Sequence, residues 1–186
     1  MNNTIDLSKL VEDVTPVLES INFSQDIKEN NIDEEHTGYM QRENSYYKGL
    51  ACIINHFGYT DVCEIGACRG TSAVALARFA DKVNSYDVNL GLLFDIKDVR
   101  INFKKLNGNL DCLNIDFDWY DFIFVDVDHD GYTEQKIHEV LLKKYKGLVA
   151  YDDIFLNDRM KSFWEGITNN KISVPWHDSG FGIVEY

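Results

Sequence analysis

Five short runs read as strands, DVCEI (61–65), VNSYD (83–87), INFKKL (101–106), YDFIFVD (120–126) and KGLVAYD (146–152), the last two continuously apolar at their centres, and they alternate with stretches of helical spacing. No other feature constrains the fold as much. Strands that are apolar throughout cannot leave one face in water, so they belong to a parallel sheet covered on both sides. TSAVALARFA (71–80) and YTEQKIHEVLLKK (132–144) supply connecting helices; a helical patch is expected through LLFDIKDV and a further helix near 157–168. Two terminal strands, about 171–175 and 181–186, finish the pattern. Upstream, a helix at about 43–57 is expected to bury Tyr47, Leu50, Ala51, Ile54 and Phe57 and to end at Gly58.

Residues 1–42 read as an acidic helical lead-in that packs on the main body or on a partner. Leu7, Leu10, Val11, Val14, Val17, Leu18 and Ile21 fall at helical spacing, with Pro16 as a kink or break. With two prolines in all and no low-complexity linker, residues 43–186 read as a single compact unit. The net charge of −13 argues against a nucleic-acid partner, whose phosphates need Lys and Arg. No run approaches the ~18 apolar residues of a membrane span, and MNNTIDLSKL lacks a signal pattern, so no membrane association is expected. Four cysteines form no CxxC pair; reduced thiols and a cytoplasmic setting are the expectation.

The first strand runs into CEIGACRGTS, which sets Glu64, Gly66 and Gly70 between a strand and a helix. Open α/β sheets bind the polar part of nucleotide-like ligands at such a turn, through glycine backbone and the N–H groups of the helix start. Cys68 stands where GxGxxG needs its second glycine, and a phosphate-loop lysine is lacking. A carboxylate at Glu64 suits a sulfonium ligand with an amino-acid tail better than a pyrophosphate. Asp87 ends the second strand, where an acid can accept both hydroxyls of a ribose. A tight turn without a ligand, and an Asp87 that only caps the next helix, are the plainer readings of the same residues.

EIGACRGTS, SYD, FIFVDVDHDGY and GLVAYDDI, in this order, resemble the class I S-adenosylmethionine-dependent methyltransferases. The chain is most similar to the small metal-dependent O-methyltransferases of the catechol and caffeoyl-coenzyme A type and to macrocin-type sugar O-methyltransferases. The resemblance spans roughly residues 45–186. It implies a Rossmann-like, doubly wound α/β fold: a mostly parallel seven-stranded sheet with a reversed last strand, GFGIVEY, and helices on both faces. It also implies S-adenosylmethionine as cofactor, with Glu64, Gly66, Ala67, Gly70, Ser72, Asp87 and Asp128 as candidate contacts.

Asp126, Asp128 and Asp130 crowd three carboxylates into DVDHD. A calcium loop is excluded, because position 12 falls on Ile137 where a bidentate Glu is required, and the flank is a strand. Asp152 and Asp153 close the next strand, and neighbouring parallel strands end about 5 Å apart. The resemblance accordingly implies Asp126, Asp152 and Asp153 as ligands of Mg²⁺ or another divalent cation. His129 stands where the catechol type has a lysine base and the sugar type a histidine. Asp-Asp at 152–153, where the catechol type has Asp-Asn, weakens a catechol substrate. Asp130 and Gly131 shape the turn. Trp176 and His177 precede the last strand, at the rim of a substrate pocket or, for Trp176, in the core.

The expected function is metal-assisted O-methylation of a small-molecule or sugar hydroxyl, with a homodimer formed through the N-terminal helices completing the pocket. Two other readings remain open. One is a non-catalytic cofactor-binding or interaction module; the other is a Mg²⁺-dependent phosphotransfer enzyme built on the DVD strand end.

Overall fold

The computed structural model describes residues 4–186. Strands β1 (Asp61–Ile65), β2 (Lys82–Asp87), β3 (Ile101–Lys105), β4 (Phe122–Val125), β5 (Leu148–Tyr151), β6 (Lys171–Val174) and β7 (Phe181–Glu185) form one sheet ordered β3-β2-β1-β4-β5-β7-β6. β3, β2, β1, β4 and β5 pair in parallel, and β7 runs antiparallel to both β5 and β6. The sheet is therefore the expected one, reversed last strand included.

Helices α1 (Leu7–Val14), α2 (Ser24–Glu29), α3 (Glu34–Gln41), α4 (Tyr46–Phe57), α5 (Thr71–Ala77), α6 (Tyr132–Lys144) and α7 (Asp158–Gly166) surround it. Alternation along the strands divides the apolar residues into two cores. Val62, Phe122, Phe124, Leu148, Ala150 and Ile183 pack with α1, α4 and α5 on one face. Cys63, Ile65, Ile123, Val125, Val149 and Tyr151 pack with α6 and α7 on the other.

The lead-in belongs to the first of these cores. Leu7, Leu10, Val14 and Leu18 are buried against it, whereas Val17 faces outward, 42% exposed. Asp6 caps α1 by accepting from the Lys9 N–H at 3.0 Å, and Pro16 sits in the 3₁₀ turn Thr15–Ser20 that ends it. α4 ends as expected on Gly58 in the left-handed conformation (φ 66°).

One expected element is overturned. LLFDIKDV is not a helix: a single 3₁₀ turn, Leu90–Leu92, is followed by irregular chain. Asn30 explains it, since its Oδ1 accepts from the backbone N–H of both Lys97 (2.8 Å) and Asp98 (3.1 Å). Phe94 and Ile96 pack on the core from that pinned, extended path.

Register is what positions the site. Ile65 pairs with Tyr86 and with Val125, and Val125 with Tyr151, so three strands end level. Gly66, Asp126 and Asp152 come next on β1, β4 and β5 and emerge side by side at one edge. They are joined by Asp126 N–H to Ile65 O (2.8 Å) and Asp152 N–H to Val125 O (3.1 Å). Strand order reverses between β1 and β4, at this edge, and such a switch point is where open α/β sheets bind ligands.

Candidate functional site

Two cavities open at the level strand ends, and of their lining residues they share Asp126 alone. The smaller, about 320 Å³, lies over β1, β2 and β4. Gly66, Asp87, Asp126, Asp128 and His129 line it, with Ile65, Tyr86, Val88 and Leu106 as apolar wall. Gly66 is required at its place: its φ is +101°, and a Cβ there would lie 1.6 Å from the Asp126 carbonyl oxygen. Asp87 stands at the end of β2 with one oxygen accepting from the Cys68 N–H (2.9 Å) and the other from the Asn89 N–H (2.7 Å). Asp128 accepts from Asn109 and, at 3.3 Å, from the Thr133 hydroxyl.

Glu64, Ala67, Gly70 and Ser72 do not line that cavity. Glu64 is completely buried under α5 and takes a hydrogen bond from the Ser85 hydroxyl. Burial lifts its carboxyl to about 8, against the hydroxyls of Ser72 and Ser85, which favour the charged form. Its side chain thus lies beneath the turn, where it braces β1 against β2. Gly70 starts α5 at φ +85°, facing Phe103, Leu93 and Ile96, and Ala67 and Ser72 are buried beside it.

The larger cavity, about 730 Å³, opens on the other side of Asp126. Asp152, Asp153, Trp176 and His177 line it together with Tyr39, Arg42, Ser45 and Tyr46 from the α3–α4 region. These last four carry no motif that marks them as site residues in the sequence. α3 falls within the stretch read as a helical lead-in, without bounds of its own, although Asp33, whose side chain accepts from the His36 N–H, is a legible helix cap. Trp176 contributes wall: it is 2% exposed, its ring packed on Gly49 and on Phe181 at 5.8 Å.

Between the cavities lies a network of carboxylates and imidazoles. His129 Nε2 reaches Asp126 Oδ1 at 3.0 Å and Asp153 Oδ2 at 3.3 Å. His177 Nδ1 reaches Asp152 Oδ1 at 2.9 Å and Asp153 Oδ1 at 3.3 Å. Ser179 donates to Asp153 as well. The three expected metal ligands are therefore split: Asp152 and Asp153 share a group with His177, while Asp126 joins through His129.

The electrostatics arise from crowding. Burial chiefly raises the Asp152 carboxyl, and the charges of Asp126 and Asp153 add to it, against His177. Burial would also raise Asp153, but bonds from His177 and Ser179 and the charge of His129 leave it lowered. For His129, burial is outweighed by the hydrogen bond and charge of Asp126, with Asp153 behind, and the imidazole rises to about 9. Hydrogen bonds to Asp152 and Asp153 carry His177 to about 10. Both imidazoles act here as counter-ions to the acids. His129 is held in a left-handed backbone (φ 54°), its N–H on Glu134 Oε1 at 2.8 Å and its carbonyl accepting from Asn157 at 2.8 Å. Asp153 (φ 56°) and Cys68 (φ 45°) share that conformation, so local strain collects at the strand ends.

No helix among the described residues is long and apolar enough to cross a membrane. Cys52, Cys63, Cys68 and Cys112 are free thiols, Cys68 exposed and the others buried.

No protein-family model matches the chain, and no curated protein matches it by sequence. Its fold is shared with solved methyltransferases. The SAH-bound methyltransferase PaMTH1 of Podospora anserina superposes with a TM-score of 0.66 at 14% identity, over 100% of this chain and 98% of that one. The O-methyltransferase TomG of Streptomyces achromogenes, involved in tomaymycin synthesis and solved with SAM, gives 0.64 at 15% identity, over 98% and 99%. An O-methyltransferase of Bacillus cereus in complex with SAH gives 0.53 at 16% identity, over 100% and 93%. Over essentially its whole length the chain has the fold of these methyltransferases, here with the mostly parallel seven-stranded sheet described above.

Proposed function

We propose that the protein is an S-adenosylmethionine-dependent O-methyltransferase acting on a small hydroxylated molecule. The observation that carries this reading is the pair of cavities meeting at Asp126, at the switch point of the sheet. The smaller suits the cofactor: Asp87, lining it at the end of β2, would accept from the hydroxyls of a ribose, and apolar side chains from β1, β2 and the segment after β3 offer a wall for a base. Full-length likeness to proteins solved with SAM or SAH supports the same assignment. The larger cavity would take the acceptor.

When bound, the cofactor supplies an electrophilic methyl group. A divalent cation, when bound, supplies charge that makes an acceptor hydroxyl more acidic. The donor set fits such an ion, since Asp152, Asp153 and His177 each offer a donor atom within 4.8 Å of the others. The chain's own part is to position and to move a proton. Asp126 stands at the boundary of both cavities. His129 lines the smaller cavity beside Asp126, and its Nε2, paired with Asp126 and Asp153, would have to be released from them before it could accept the acceptor's proton. Glu134 and Asn157 keep its ring in place from the backbone.

The test is calorimetry with S-adenosylhomocysteine on the wild type and on Asp87→Ala. Micromolar binding that weakens at least tenfold in the variant is expected, since two shared hydroxyl contacts are lost. No binding to the wild type, with hydrolysis of a generic phosphate ester, would instead favour the phosphotransfer reading.

A further inference from the structure

We propose that the acceptor is an anion, a hydroxylated ring bearing a carboxylate, and that Arg42 is the residue that selects it. The proposal rests on the methyltransferase reading for the hydroxyl end of that molecule; the anion subsite comes from the cavity wall. Among the described residues lining either cavity, Arg42 is the one Lys or Arg. It directly follows α3, and its guanidinium lies over the Tyr39 ring, 4.7 Å from the centroid. Both side chains line the larger cavity. Stacking on the ring face steadies the plane of the fork and leaves its N–H edges available. The ion pair it makes among the described residues is with Asp178 Oδ2 at 3.9 Å, beyond hydrogen-bond distance. The Asp178 side chain is 98% exposed and that of Arg42 56%, so the pair is weak. Arg78 and Arg100, by contrast, are engaged by hydrogen bonds to Asp26 and Asp98.

The wall around Arg42 is short of acceptors. Among the described residues four buried side-chain polar atoms lack a hydrogen-bond partner. Two are carboxylate oxygens, of Glu64 and Glu134, and neither residue lines this cavity. The other two, the Ser45 hydroxyl and the Trp176 indole N–H, are donors on residues that do line it. A buried donor without a partner is costly, and it marks where an acceptor belongs. The acids at the strand ends do not supply one, since Asp126, Asp152 and Asp153 are engaged by His129 and His177. A carboxylate matches the fork of Arg42 with two acceptor oxygens. Charge is then divided along the cavity, a cation at the half-exposed rim and acids at the strand ends. A molecule with its carboxylate and its hydroxyl at opposite ends is held there in one orientation. Tyr39, Tyr46 and Trp176 provide wall for the ring between them.

Two matched pairs are titrated by calorimetry: 4-hydroxybenzoate against its methyl ester, and glucuronate against glucuronamide. In at least one pair the wild type is expected to bind the carboxylate at least about tenfold more tightly than its neutral twin. The pair that does so tells an aromatic ring from a sugar. Arg42→Gln should bring that ratio to within about twofold of one, and Arg42→Lys, which keeps the charge but not the fork, should fall between. Asp178→Asn removes the competing carboxylate and should tighten carboxylate binding about two- to fivefold. Lys143→Gln removes the same charge near the end of α6, at the opposite edge of the sheet, where Tyr145 donates to Asp121 O just before β4. It should leave the ratio within about twofold of wild type. Equal binding of the twins, binding of neither pair, or a ratio lowered as much by Lys143→Gln as by Arg42→Gln would overturn the proposal. Should Arg42→Gln not fold, Arg42→Lys and Asp178→Asn decide. The pairs are titrated with and without S-adenosylhomocysteine, whose own binding is measured first. A carboxylate preference that depends on Arg42 in protein that binds no S-adenosylhomocysteine would uphold the anion subsite and sink the cofactor reading.

Discussion

Glu64 shows how one side chain can be legible in kind and misleading in direction. The sequence marks it as an acid at the glycine turn, and a ligand contact is the natural inference. Strand parity says otherwise: Glu64 shares a face with Val62, and that face lies under α5. A buried carboxyl raised to about 8 keeps its proton in the folded chain, whereas the unfolded chain releases it near 4.5. Between those values the folded state binds the extra proton, so stability falls as pH rises and levels off above about 8. Glu64→Gln removes that slope. Unfolding free energies from urea titrations between about pH 5 and pH 8 should fall less in the variant, by up to a few kcal/mol overall. Parallel curves for the two proteins would show that Glu64 is ionised in the fold. The imidazoles of His129 and His177 are raised too, so they add to the wild-type decline as pH climbs toward 9 and 10, equally in both proteins.

At the scale of elements, all seven strands are legible because apolar runs bounded by acids and glycine have few other uses. α6 is legible to its boundaries, helped by Asp130, which accepts from Tyr132 and Thr133 N–H at its start. α2 and α3 lie in the stretch read as helical, but their bounds are not legible: each is under three turns and draws its stability from packing on α4 and the core. The 92–99 segment misleads for a related reason, since the group that fixes it, Asn30, is distant in the chain. The cleft wall from α3 and α4 is hidden likewise; nothing in Arg42, Ser45 or Tyr46 signals a cavity until α4 docks against the turn before β7. Gly49 is the contact point of that docking. A Cβ there would meet the Trp176 ring at 2.2 Å, and the ring is closely buried. Gly49→Ala should destabilise the protein by about 1–3 kcal/mol through overpacking. A shifted denaturant midpoint and altered tryptophan emission would report it; an unchanged midpoint would mean α4 can slide away freely.

For the whole molecule the governing quantity is charge. A net −13, with nine acids and two lysines in the first 35 residues, loads like charge onto a segment that packs directly on the core. Local pairs such as Lys9–Asp13 and Arg78–Asp26 offset little of it. Screening should therefore stabilise. Raising NaCl from about 10 mM to about 150 mM shortens the Debye length from about 30 to about 8 Å, and the melting midpoint should climb by a few degrees. A midpoint that falls with salt would mean that attractive pairs dominate the surface.

The sharing of Asp126 by two otherwise separate cavities bears on traffic. Both cavities are open to solvent and otherwise lined by different residues, so under the proposed reading neither ligand need block the other's route. Arrival and departure can then occur in either order, and the two ligands would meet directly beside Asp126.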